Sequence, residues 1–216
     1  MGMHNEFKIA VQAIQQIDFS TCALELLNVF ETTIRYLGGF LSAYDLSDGK
    51  YPILLQKATE MGDMLYKAFD TPNRLPIVRW DFNAAANGSS QEASDNVLES
   101  EIGSLTLEFT RLSQITGDPK YYDAVQRITD VFDQQQSNSK LPGMWPVVLD
   151  AKNMNFVEST RFSIGGMADS LYEYFPKVCS KLSYTFTSGL TSESNTYYSV
   201  GRRSNIGGYM NTPSSP

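Results

Sequence analysis

The stretch Val29-Phe30-Glu31-Thr32-Thr33-Ile34-Arg35-Tyr36-Leu37-Gly38-Gly39-Phe40-Leu41-Ser42-Ala43-Tyr44-Asp45-Leu46 decides the fold class. Its apolar residues Phe30, Ile34, Leu37, Leu41 and Tyr44 recur at steps of four and three, the signature of one buried helix face. Glu31, Arg35, Gly38 and Ser42 recur at the same steps on another face. A carboxylate and a guanidinium beside two small residues can form the wall of a polar ligand pocket. Glu31 and Arg35 also stand at i,i+4, the spacing of an exposed helical ion pair.

The same period runs outward from this stretch. It predicts helices over 4–18 (Phe7, Val11, Ile14, Ile17), 52–69 (Leu54, Leu55, Ala58, Leu65, Phe69) and 95–116 (Leu98, Ile102, Leu105, Phe109, Leu112). Two more follow over 119–135 (Tyr122, Val125, Ile128, Phe132) and 166–175. Alternation of period two is nowhere sustained, so the predicted fold class is all-α. Thr116-Gly117-Asp118-Pro119 supplies a helix-ending Gly, a capping Asp and Pro at the first helical position. Ser47-Asp48-Gly49-Lys50-Tyr51-Pro52 does the same between two earlier helices. The Lys50-Tyr51 and Lys120-Tyr121 pairs stand 70 residues apart, a faint repeat of αα-hairpins. Repeated hairpins with carboxylates on one face fit a helical toroid around a cavity, and a bundle or solenoid explains the period equally. Long connections at 71–94 and 137–164 are functional candidates, and Asn87-Gly88-Ser89 is an N-glycosylation sequon. From Val178 onward Ser, Thr, Gly, Asn and Tyr dominate, and 178–216 reads as a disordered tail.

Composition excludes several functions. The 216 residues are 42% hydrophobic and 19% charged, as in a soluble globular domain. A net charge of -7 argues against nucleic acid and suits a neutral, calcium-bound or cationic ligand. No apolar run reaches membrane-spanning length, and Met1-Gly2-Met3-His4-Asn5-Glu6 lacks the apolar core of a secretory signal. Cys22 and Cys179 define no disulfide framework, and a lone His4 supports neither a zinc site nor a His-based triad. Acid–base chemistry must therefore run on carboxylates. Glu101 and Glu108 lie seven residues apart and share a predicted face beside Ser104, while Asp169 stands at a helix start. Taken singly, each reads first as a solvated or dipole-compensating residue. Together Glu31, Glu101 and Asp169 occupy inward-capable positions on separate helices. Carboxylates around a cavity are what glycoside hydrolysis needs, one to protonate the leaving oxygen and another to activate water.

Phe30-Glu31-Thr32-Thr33-Ile34-Arg35-Tyr36-Leu37-Gly38-Gly39 with Leu41-Ser42-Ala43-Tyr44 resembles glycoside hydrolase family 47, the class I α-1,2-mannosidases, with local wording like the fungal members. Glu101-Ile102-Gly103-Ser104-Leu105-Thr106-Leu107-Glu108-Phe109, Leu112-Ser113-Gln114-Ile115-Thr116-Gly117-Asp118 and Gly166-Met167-Ala168-Asp169-Ser170-Leu171-Tyr172-Glu173-Tyr174 match further blocks in order. The resemblance implies an (α/α)7 barrel and inverting, calcium-dependent trimming of α-1,2-linked mannose from high-mannose N-glycans. It implies a parent protein of the endoplasmic reticulum or Golgi, or one that is secreted. It makes Glu31 the general acid acting through a water, Asp169 a second catalytic acid, and Arg35 and Glu101 substrate-binding residues. Members with a strict preference for one terminal mannose carry Arg where this chain has Met167, which implies a broader cut. The family's second catalytic glutamate, in an Arg-Pro-Glu motif, and its calcium-binding C-terminal threonine have no counterpart in the 216 residues, so no metal ligand is expected here. The expectation is a partial catalytic domain over 1–177 with an unclosed barrel, and a non-family tail over 178–216, as from a reading frame that departs after Lys177. Such a chain would be inactive alone. A non-catalytic glycan-binding remnant and a helical protein-interaction fragment are the alternatives.

Overall fold

The computed structural model describes residues 2–186, with side chains to Val178. Along the chain come α1 (His4–Ile14), β1 (Leu27–Asn28), α2 (Val29–Thr32), a π-helical turn (Thr33–Leu37), α3 (Gly38–Leu46) and α4 (Pro52–Tyr66). Next are β2 (Arg79–Trp80), α5 (Phe82–Ala86), β3 (Val97–Leu98), α6 (Glu99–Gly103), α7 (Thr106–Thr116), α8 (Pro119–Gln135), β4 (Val148–Leu149) and α9 (Asp169–Phe186).

Helices dominate, and the expectation of an all-α chain needs one correction. Two antiparallel ladders are present, Leu27↔Trp80 with Asn28↔Arg79, and Val97↔Leu149 with Leu98↔Val148. Each strand has two residues, too few to show a period of two. The ladders turn the faint repeat into a definite one. Each unit runs from a strand through an αα-hairpin to a second strand that closes back on the first. Leu27 and Val97, which open the two units, stand 70 residues apart.

The hairpin turns form as the local chemistry dictates. Gly117 takes φ 73°, a left-handed helix end that costs glycine nothing, and Asp118 accepts the Lys120 N–H ahead of Pro119. α3 packs on α4, α7 on α8, and α4 and α7 join the two hairpins. One apolar core runs through both. At its far end Phe132 meets Trp145, Phe156 and Phe175 with ring centroids 4.8–5.5 Å apart, and the Trp145 indole donates to the Phe132 carbonyl at 3.0 Å. Burying each such ring contributes about 1.5–3 kcal/mol.

Two predicted helices are not continuous. The stripe in the first stretch is Val29, Thr33, Leu37 and Leu41 rather than Phe30, Ile34 and Tyr44, which are half-buried. A spacing of four drifts around an α-helix, and the wider π turn absorbs that drift. The predicted 95–116 helix breaks at Ser104–Leu105, although Ile102, Leu105, Phe109 and Leu112 are all fully buried across the break. α9 runs on to Phe186, beyond the predicted 175 and across the expected boundary at Lys177. The rest of the predicted tail, 187–216, lies outside the described residues. Among the described residues no helix is long and apolar enough to cross a membrane.

Candidate active site

The repeat places acidic residues at equivalent points. Each hairpin's first helix starts directly after a strand, and its third residue is a glutamate, Glu31 in α2 and Glu101 in α6. α2 is begun by Asn28, whose side chain accepts the Glu31 N–H at 3.1 Å. Asp169 opens α9, which packs against α6 and α7. Gly103 permits this approach, because a Cβ there would stand 2.1 Å from Leu171 Cδ1. All three carboxylates stand in the first turn of their helices.

Glu31, Glu101 and Asp169 line one open pocket of about 340 Å³. Asn28, Phe30, Leu98, Ser100, Met167, Ser170 and Glu173 complete its wall together with Arg79. Arg79 Nη2 lies 2.5 Å from Glu101 Oε1, and the carboxylate is the buried member, with its side chain 8% exposed against 49% for the arginine. Arg35 Nε donates to Glu31 Oε2 at 2.6 Å, but its side chain is 68% exposed and it does not line the pocket. The structure thus gathers Glu31, Glu101 and Asp169 and leaves Arg35 touching the site only through Glu31.

The small-residue face resolves differently from expectation. Gly38 lies against α7, where a Cβ would come 3.3 Å from Glu108 Oε1, and Ser42 is exposed. The gap beside Gly38 is filled by this chain's own carboxylate. Tyr174 donates to the same Glu108 oxygen at 2.9 Å. Glu101 and Glu108 therefore do not act on one face, since the break after Gly103 separates their helices.

Two residues escaped sequence reasoning. Arg79 sits in the 71–94 connection, where only loop length pointed to function. Glu99 is the other. It is fully buried, its Oε2 lies 3.4 Å from the Tyr172 hydroxyl, and its Oε1 has no hydrogen-bond partner among the described residues. Burial pushes its carboxyl up to about 8, and the Tyr172 hydrogen bond offsets that only partly. Tyr172 also accepts the Trp145 N–H at 3.2 Å. Burial thus favours the neutral form of Glu99, which stands in the chain between Leu98 and Ser100 of the pocket wall without lining the pocket itself.

Chemically, the pocket offers several carboxylates that can accept hydroxyl protons or deliver one, and a guanidinium that can donate. Among the described residues no three acidic, His or Cys side chains converge as a metal-holding group. Glu31 and Glu101 are already engaged with Arg35 and Arg79. The donor set present does not fit a calcium ion.

The profile of glycosyl hydrolase family 47 matches residues 1–200. A mannosyl-oligosaccharide 1,2-alpha-mannosidase of Arabidopsis thaliana is 40% identical over 153 residues, covering 70% of this chain and 26% of that protein. The endoplasmic reticulum mannosyl-oligosaccharide 1,2-alpha-mannosidase of Rattus norvegicus is 35% identical over 178 residues, covering 82% and 26%. The solved alpha-1,2-mannosidase from Trichoderma reesei superposes with a TM-score of 0.70 at 30% identity, over 94% of this chain and 43% of that one. The chain spans about a quarter of the length of these curated relatives.

Proposed function

The chain belongs to glycosyl hydrolase family 47, and from that premise we propose that its pocket receives the terminal mannose of an α-1,2-linked mannosyl-oligosaccharide. In this reading the repeats form part of an (α/α)7 barrel with the pocket opening on its axis. Glu31 supplies the proton to the departing glycosidic oxygen through a water, and Asp169 completes the catalytic acids. Arg35 holds Glu31 in place, and Glu101 accepts sugar hydroxyl protons. The observation that carries the reading is the convergence of Glu31, Glu101 and Asp169, from α2, α6 and α9, on one pocket.

Inverting hydrolysis needs a second carboxylate to activate water on the opposite face of the sugar. That role has no motif in these 216 residues, and no step is assigned here to calcium, whose place in the reading comes from the family alone. Met167 lines the pocket as an exposed side chain on a left-handed backbone, φ 76°, and presents an apolar surface to the sugar beyond the bound one. A tolerant choice of branch follows. The relatives named for the endoplasmic reticulum support a place in the secretory pathway. The test is to titrate residues 1–216 with α-1,2-mannobiose and to assay mannose release from a high-mannose glycan, with and without a chelator. Binding with negligible release is expected. Absence of binding refutes the reading, and chelator-sensitive release by this chain refutes the expectation that it is inactive alone.

A further inference from the structure

Arg79 stands at the joint between the two repeats. Its backbone is paired with Asn28, the residue that begins the helix carrying Glu31. Its side chain crosses to Glu101, at the start of the corresponding helix in the second repeat. One residue therefore ties the two glutamates' supports together. The pair is lopsided in a telling way. Glu101 is nearly buried, so its charge needs a partner, whereas Arg79 is half-exposed into the pocket. A guanidinium carries five N–H donors in one plane, and among the described residues Arg79 meets no other acceptor than Glu101.

The pocket wall holds Glu31, Glu101, Asp169 and Glu173, all acceptors when ionised, and Arg79 is its single cation among the described residues. Four carboxylates alone would favour a cation over a neutral polyol. A sugar hydroxyl both donates and accepts, so recognition of its oxygen requires a fixed donor, and Arg79 is the charged one available. We infer that Arg79 is a specificity-determining residue: held by Glu101, it donates a hydrogen bond to the hydroxyl adjacent to the one that donates to Glu101. The pair then reads two neighbouring hydroxyls as a unit. This rests on the mannoside reading above.

The experiment measures binding of α-1,2-mannobiose and its monodeoxy derivatives, deoxygenated at the terminal sugar, to residues 1–216 and to Arg79→Ala by ligand-observed NMR. The unaltered chain should lose affinity at two adjacent deoxy positions. Arg79→Ala should bind the parent disaccharide about tenfold or more weakly, the loss of one hydrogen bond to a charged donor. It should also become indifferent to one of those two positions. Equal binding by Arg79→Ala overturns the inference and spares the mannoside reading. Uniform weakening across all derivatives also overturns it, since a purely structural role singles out no hydroxyl. No binding by the unaltered chain overturns both. Where Arg79→Ala does not fold, Arg79→Gln replaces it, and the unaltered chain must still show two adjacent sensitive hydroxyls or the inference falls.

Discussion

Replacing Glu99 by Gln should make the protein more stable, and increasingly so as pH rises. The folded carboxyl is pushed up to about 8 against an ordinary value of 4.5. Below about pH 4.5 both states hold the proton and Glu99 contributes no pH dependence. Between 4.5 and 8 the unfolded chain has released the proton while the folded chain retains it, so stability falls as pH rises. The slope is about 1.4 kcal/mol per pH unit, giving a loss on the order of 4–5 kcal/mol across the whole window. That is a large part of the roughly 5–15 kcal/mol that holds a domain folded. Glutamine keeps the shape, stays neutral, and can donate to the Tyr172 oxygen, whose own proton can then go to the Trp145 carbonyl. Groups held below their ordinary values, Asp18, Glu60, Asp118 and Glu173, act in the opposite sense and only at acid pH. Urea unfolding of both proteins at about pH 5, 6, 7 and 8 provides the measurement. The stability difference in favour of Glu99→Gln should widen by about 3–4 kcal/mol from pH 5 to pH 8. Parallel curves would refute the reasoning, because they would mean that the carboxyl ionises in the folded protein as easily as in the unfolded one.

Gly103→Ala places a methyl 2.1 Å from Leu171 Cδ1 and should destabilise by about 1–3 kcal/mol, with partial recovery in Gly103→Ala/Leu171→Ala, both read by urea unfolding. Asp118→Ala removes the side-chain acceptor for the Lys120 N–H and should lower the urea midpoint more than Asp123→Ala does on the exposed pair with Arg127. Arg35→Ala breaks an ion pair exposed on both sides and should change unfolding free energy by less than about 0.5 kcal/mol, so any loss of mannobiose affinity in a titration reports on Glu31.

The helices were legible because each buries one continuous stripe, but their breaks were not. Ile102, Leu105, Phe109 and Leu112 keep helical spacing straight through the interruption at Ser104–Leu105, because both short helices bury the same side. The strands were invisible for a simpler reason, since a two-residue strand has no period to detect.

The site divides along the same line. Glu31, Glu101 and Asp169 stand out in the sequence as carboxylates on separate predicted helices, and the structure brings them to one pocket. Arg79 does not stand out, because its place depends on which residue of the first strand it pairs with, a register that no local pattern encodes. Glu99 shows the limit from the other side. Glu99-Ser100-Glu101 reads as a solvated helix start, yet residues two apart on a helix differ by about 200° in direction. One of the two glutamates must face away from whatever the other faces. With Glu101 in the pocket, Glu99 points into the core, and its partner Tyr172 stands 73 residues on, one turn after Asp169. The buried acid is thus a consequence of the functional one: orienting α6 to present Glu101 beside Asp169 leaves Glu99 nowhere to go but beneath α9.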